Sequence, residues 1–264
     1  MRSVRVDSEF WRLLADSAGS REPGVVITVA KASGSAPGKA GAKMLVTGDA
    51  QFGTVGGGRV ESAAIRHARE LLARHGGPDL VKYDVVQDLG MSCGGSMTLF
   101  YEPVTPPPRL VIFGAGHIAE SLCAMAALAG FEVAVLEDRK DWLTAERFPA
   151  ATRLINAPLE EAVGLAEIDA ATFVTSVTQG HQFDRVVVRT LLTTVGMPRY
   201  LGIIGSRRKA EVLRGEFRED GLADADIKAI RIPMGVSIGA VDPREIAVSI
   251  TAELVAVLRG VDGT

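Results

Sequence analysis

Cysteine is nearly absent from this chain: 264 residues include two, Cys93 and Cys123. Two thiols do not make a disulfide framework, and a reducing compartment is the simpler setting. An excess of positive charge is missing too. The net charge is −3, so bulk electrostatics do not favour a nucleic-acid partner. Long apolar runs are lacking. The most apolar helix candidate, residues 118–129, is too short to span a bilayer and contains Glu120, so it reads as a buried crossover helix and no membrane span is expected. Nor is there a signal-peptide pattern, since Arg2 and Arg5 are followed by Asp7 and Glu9 rather than an apolar core. The expectation is a cytoplasmic protein. Repeats and low-complexity tracts are absent as well.

What is present is ordinary for a soluble α/β protein: 47% hydrophobic and 23% charged residues. The length allows one large domain or two modest ones. Thr105-Pro106-Pro107-Pro108 is the clearest linker, because consecutive prolines cannot continue a helix or a central strand. Ahead of it, residues 7–18 and 59–74 read as helices and residues 25–30, 43–46, 51–53, 81–86 and 96–101 as strands, with a hairpin around Gly48-Asp49. After it, strands are expected at residues 109–113, 132–136, 153–155, 172–176, 200–204 and 229–232. Helices are expected at 117–129, 183–195, 206–218 and 243–259, with a short one near 142–148. Strand–helix alternation implies a parallel sheet with helices on both faces. The fold class is therefore α/β: a mixed α+β domain over residues 1–104, a proline-rich linker at 105–108, and a Rossmann-like domain with a mainly parallel sheet over 109–264.

Three glycine-rich turns feed helices. They are Gly53-Thr54-Val55-Gly56-Gly57-Gly58, Gly114-Ala115-Gly116-His117-Ile118-Ala119 and Gly205-Ser206-Arg207-Arg208-Lys209. Such turns aim backbone N–H groups at an anion, and the helix dipole favours negative charge there. Several on one protein suggest a phosphorylated, nucleotide-like or pterin-like ligand. Glu137 lies 21 residues beyond Gly116 (137 − 116), near the spacing of a ribose-binding carboxylate. The alternative for Glu137 and Asp138 is a solvated turn, and Arg139 either meets a 2′-phosphate or pairs with Asp138. Thr178-Gln179-Gly180-His181 follows the fourth strand of this half, with Asp184 one turn into its helix. His181 is read as a ligand contact or as an ordinary hydrogen-bonding loop residue. Ser206 suits an N-cap, and Arg207 and its cationic neighbours could neutralise a diphosphate or simply form a solvated helix face.

The run Gly34-Ser35-Ala36-Pro37 with Gly41-Ala42-Lys43-Met44-Leu45-Val46, then Gly53 to Gly58 with Glu61, resembles the front segment of the xanthine dehydrogenase accessory proteins (XdhC/CoxI). Cys93-Gly94-Gly95 matches that family's short cysteine turn. Residues 200–209, then Pro233-Met234-Gly235 and residues 243–254, are similar to its closing Rossmann portion. The motifs occur in the family's order, from about residue 10 to residue 259. One departure is Gln179, which stands near a place where the family often has histidine.

The resemblance implies a molybdenum-cofactor chaperone, an accessory factor without turnover of its own. It implies binding of molybdopterin, support of its sulfuration by a cysteine desulfurase, delivery to a xanthine or CO dehydrogenase-type molybdenum hydroxylase, and a homodimer. Cys93, flanked by glycine and polar residues, is the candidate molybdenum ligand, since a thiolate suits that metal; the alternative is a small residue packed in a tight turn. Gly56, Gly57, Gly58, Glu61, Lys43, Gly114, Gly116, Glu137, His181, Ser206 and Arg207 complete the candidate cofactor site. Glu61 is read equally as an organiser of the glycine loop. Lys43 either reaches a phosphate or oxo group or lies on a solvated strand face. Cys123, in an apolar helix, is read as core. An NAD(P)-dependent oxidoreductase and a nucleotide-binding regulatory module are the rival readings. Against the first, the Rossmann half has one tyrosine, Tyr200, and no convincing Ser/Tyr–Lys pair.

Overall fold

The computed structural model describes residues 10–15, 22–74, 76–84, 86–88 and 95–261. The chain divides into two compact units, Met1–Pro106 and Pro107–Thr264.

The first unit is a five-stranded antiparallel sheet in the order β3-β2-β1-β5-β4. Its strands are β1 (Gly24–Gly34), β2 (Lys43–Thr47), β3 (Gln51–Gly53), β4 (Asp79–Asp84) and β5 (Gly95–Val104). The β-branched run at the start of β1 suits a central strand. One face of the sheet carries Val25, Ile27, Met44, Met97, Leu99 and Tyr101, and α1 (Gly58–Ala73) lays Val60, Ala64, Ala68 and Leu71 on it. That three- and four-residue spacing is the apolar stripe of a helix. Residues 10–15 are helical and set Phe10 and Leu14 against Val26 and Leu45 on the other face. The rest of the helix expected over residues 7–18 lies outside the described residues.

The second unit is a five-stranded parallel sheet in the order β10-β9-β6-β7-β8. The strands are β6 (Arg109–Phe113), β7 (Glu132–Leu136), β8 (Arg153–Ile155), β9 (Phe173–Ser176) and β10 (Tyr200–Ile203). Alternate residues of β6 serve opposite faces. Leu110 and Ile112 meet α2 (His117–Leu128) and α7 (Pro243–Leu258); Val111 and Phe113 meet α3 (Leu159–Leu165), α4 (His181–Thr194) and α5 (Arg207–Glu219). The order reverses between β6 and β9, so the crevice of this Rossmann-like sheet lies at their carboxyl ends. Cys123 is buried in α2, where desolvation pushes its thiol up to about 11.

Some expected elements differ. The strand expected at residues 229–232 is instead the end of α6 (Asp224–Ala229) followed by a single parallel bridge between Arg231 and Gly202. Asp224 and Asp226 favour a helix start there, and Pro233, with no N–H, stops further pairing. Near residues 142–148 a 3-10 turn at Lys140–Trp142 replaces the expected helix. The short helices α3 and α6 were not expected at all.

Candidate functional site

The turn after β6 holds its shape by glycine chemistry at one position and leaves space at another. Gly114 has φ +101°, and a Cβ there would sit 2.9 Å from the Val177 carbonyl oxygen. Gly116, the N-cap of α2, has φ −74°, and a Cβ there would meet nothing within 4 Å. The protein's own packing does not require glycine at 116, whereas close approach of a ligand would.

Glu137 follows β7 and is 5% exposed. Its Oε2 accepts the Ala115 N–H at 2.8 Å and Arg139 Nη2 at 2.8 Å; its Oε1 accepts Arg139 Nε at 2.9 Å and the Arg139 N–H at 3.3 Å. Burial alone would raise this carboxyl, but the Arg139 fork and the backbone donors outweigh it and hold it down at about 2. Asp138, hydrogen-bonded to the same carboxylate, is shifted upward. Each Glu137 oxygen already has two donors from Ala115 and Arg139, so a ribose diol would compete with them for this carboxylate. Asn156 Nδ2 donates to the carbonyls of Glu137 and Asp138 at 2.8 and 3.0 Å and fixes this turn. A cleft of about 140 Å³ opens beside these groups, lined among others by Gly116, Arg139, Leu159, Gln179 and Phe183.

At the ends of β9 and β10, Asp184 is fully buried and organises the surroundings. Its Oδ1 accepts Ser176 Oγ at 2.6 Å and Thr178 Oγ1 at 3.0 Å, and its Oδ2 is ion-paired with Lys209 Nζ at 2.6 Å. Lys209 Nζ also donates to the Ile204 carbonyl at 2.9 Å. Ser206 caps α5, its Oγ accepting the Lys209 N–H at 3.3 Å. The basic trio therefore splits: Lys209 is committed inward, while Arg207 and Arg208 are exposed. His181 begins α4, half-exposed, with Nε2 3.7 Å from Glu216 Oε1.

In the first unit, Glu61 fills the glycine loop that precedes α1. Its Oε2 accepts the Gly57 N–H at 3.1 Å, the Val55 N–H at 3.3 Å and a short hydrogen bond from Thr54 Oγ1. Gly56 packs against residues 37–38, where a Cβ would come within 2.8 Å of the Pro37 carbonyl carbon. Gly57 has φ +74° and open space beyond its Cα; Gly58 has φ +62° and starts α1. Lys43 Nζ donates to Thr28 Oγ1 at 2.8 Å. Cys93 lies outside the described residues. Gly95, two positions on, pairs with Gly34, and a Cβ on it would stand 2.5 Å from the Ser33 carbonyl oxygen. Among the described residues no three of His, Cys, Asp and Glu are grouped to hold a metal ion, and no helix is long and apolar enough to cross a membrane.

Sequence reasoning placed the glycine turns and the Ser206 cap, and put Glu137 and Asp184 beside strand ends without naming their partners. It missed Asn156, Leu159 and the part Trp142 plays: Arg139 Cζ lies 4.6 Å from the centre of that ring. An aromatic six residues past the end of β7 carries no motif.

A family model of the XdhC Rossmann domain matches residues 110–254, and one of the XdhC and CoxI family matches residues 17–84. The chain is 32% identical to the protein YqeB of Escherichia coli over 91% of this chain and 44% of that one. It is 31% identical to a probable xanthine dehydrogenase subunit of Bacillus subtilis over 60% of this chain and 45% of that one. The chain thus spans less than half the length of these two relatives. It is 23% identical to the molybdenum cofactor insertion chaperone PaoD of Escherichia coli, over 93% of this chain and 87% of that one. A solved structure described as a xanthine dehydrogenase from Bacillus halodurans is similar in fold, with a TM-score of 0.53 and 24% identity over 94% of this chain and 95% of that one.

Proposed function

This chain belongs to the XdhC and CoxI family, and from that premise we propose that it carries the molybdenum cofactor as an accessory protein, binding molybdopterin and delivering it to a xanthine dehydrogenase-type molybdenum hydroxylase. The observation that carries the reading is the succession of both family segments along one chain, residues 17–84 and then 110–254. The likeness to PaoD over most of both chains points the same way.

The cargo is a phosphorylated pterin that holds molybdenum through sulfur, with a nucleotide added in its dinucleotide form. The open Cβ position of Gly116 at the α2 N-terminus fits a phosphate, and Gly114, Ser206, Arg207 and His181 are the residues assigned to that end. Cys93 is the residue assigned to molybdenum, and Gly56, Gly57, Gly58, Glu61 and Lys43 are the first unit's own candidate anion-binding groups, considered apart from the crevice of the second unit. An anion entering that loop exchanges with the Glu61 carboxylate for the Gly57 and Val55 N–H groups. The reading includes sulfuration of the bound cofactor with a cysteine desulfurase as sulfur donor.

The oxidoreductase alternative is weakened by Tyr200. Its hydroxyl donates to Glu253 Oε2 at 2.6 Å, and burial raises its pKa well above the ordinary value, so it is not placed to move a proton to a substrate. The test is delivery. Protein purified from a molybdopterin-producing host is mixed with a cofactor-free molybdenum hydroxylase. Gain of hydroxylase activity in proportion to the molybdenum supplied is the expected result. No activation by protein shown to contain molybdenum would refute delivery.

A further inference from the structure

We infer that Arg139 is a stacking platform for a fused bicyclic heteroaromatic ring, a purine or a pterin, and that Glu137 positions it instead of receiving a ribose. The inference rests on the reading of the β6–β9 crevice as a ligand site. It departs from the expectation, drawn from spacing alone, that Glu137 accepts the ribose hydroxyls.

The geometry is that of a locked side chain. Arg139 uses Nε and Nη2 for its fork to Glu137, at 2.9 and 2.8 Å. One face of its guanidinium lies over the Trp142 indole, with Cζ 4.6 Å from the ring centroid. The side chain is nevertheless 39% exposed and lines the cleft, so a ring that enters the cleft can reach the guanidinium. Arg147 lies 4.7 Å from the same ring centroid and is ion-paired with Glu120. Each guanidinium near the indole thus has its own carboxylate. A planar cation fixed this way loses little rotamer entropy when a ring stacks on it. Leu159 and the partly exposed Phe183 supply the apolar remainder of the cleft. Neither a lysine nor an unbraced arginine would offer this surface.

Trp142 is its own reporter, because the chain has only one other tryptophan, Trp11. In a Trp11→Phe background, emission is followed while the protein is titrated with ADP, CDP, inorganic pyrophosphate, and the phosphate-bearing oxidised pterin released from molybdopterin. The expected order is ADP or the pterin tighter than pyrophosphate by roughly tenfold or more, with CDP between, since a stacked base contributes on that scale. The two bicyclic ligands distinguish a purine source from a pterin source. Arg139→Lys keeps the charge and loses the plane; it should weaken the bicyclic ligand about tenfold and leave pyrophosphate within about twofold. Pyrophosphate binding as well as both bicyclic ligands, or Arg139→Lys retaining full affinity for them, overturns the inference. Failure to bind ADP and the pterin at millimolar concentration overturns it as well. Molybdenum content of the same preparation is measured alongside: cofactor retained without ring preference sinks the platform alone, and ring preference without cofactor sinks the carrier reading alone.

Discussion

Lys209 and Asp184 form the pair on which the crevice wall depends. A carboxylate with no exposed surface has two hydroxyl donors and one ammonium, and the ammonium also reaches a carbonyl at the end of β10. Removing one partner leaves a buried charge uncompensated. Lys209→Met should therefore destabilise the protein by about 3 kcal/mol, and adding Asp184→Asn should recover much of that loss. Urea denaturation of the two variants checks it; a double mutant no better than the single would show that the pair is not the relevant interaction. Glu137 gives a pH signature. Its pKa is about 2 in the fold against an ordinary value of 4.5. A depressed carboxyl stabilises the fold fully above the unfolded value and loses that contribution as pH falls through the folded one. Glu137→Gln should cost about 2 kcal/mol at pH 7, and the gap to the unmodified protein should shrink between about pH 4.5 and 2. A gap equal at pH 7 and pH 3 contradicts the assignment. Glu137 was legible from its distance to Gly116, but its partners were not, because spacing shows a carboxylate's place and not which donors fill it. The Lys209–Asp184 pair crosses between helices and leaves no mark in sequence.

The turn between β6 and α2 separates glycine used for folding from glycine kept for a ligand. Gly114→Ala forces a side chain onto a left-handed conformation against the Val177 carbonyl, and should lower stability by about 1–3 kcal/mol. Gly116→Ala meets open space at an ordinary φ, and should change stability by less than about 0.5 kcal/mol while weakening any phosphate ligand of the turn. Thermal melts with and without ligand separate the two; a Gly116→Ala variant that melts as low as Gly114→Ala would place glycine 116 on the folding side. The long strands and helices were readable because β-branched runs and three-to-four spacing repeat across them. The misses were short. Leu159–Leu165 and Asp224–Ala229 have seven and six residues, too few for a periodic pattern to stand out. The Arg231 bridge looked like a full strand because apolar residues flank it, and the competing signal was the acidic helix start before them.

At the scale of the whole molecule, the sequence puts a linker at residues 105–108, where consecutive prolines can continue neither a helix nor a central strand, and the two compact units run Met1–Pro106 and Pro107–Thr264. Strand–helix alternation marked the second unit as a parallel sheet, whereas its strand order, with the reversal between β6 and β9 that sets the crevice, comes from the structure alone. The first unit was legible in its strands but not in their order, which depends on the long-range pairing of β1 with β5. The central claim is that this chain holds molybdopterin with Cys93 as the metal's ligand. It is tested most directly by the molybdopterin content of the unmodified protein and Cys93→Ala, purified from a molybdopterin-producing host and measured as the fluorescent oxidised derivative. The account predicts cofactor in the unmodified protein and a marked loss in Cys93→Ala, with both variants melting at the same temperature. Equal content in the two, or none in either, would contradict it.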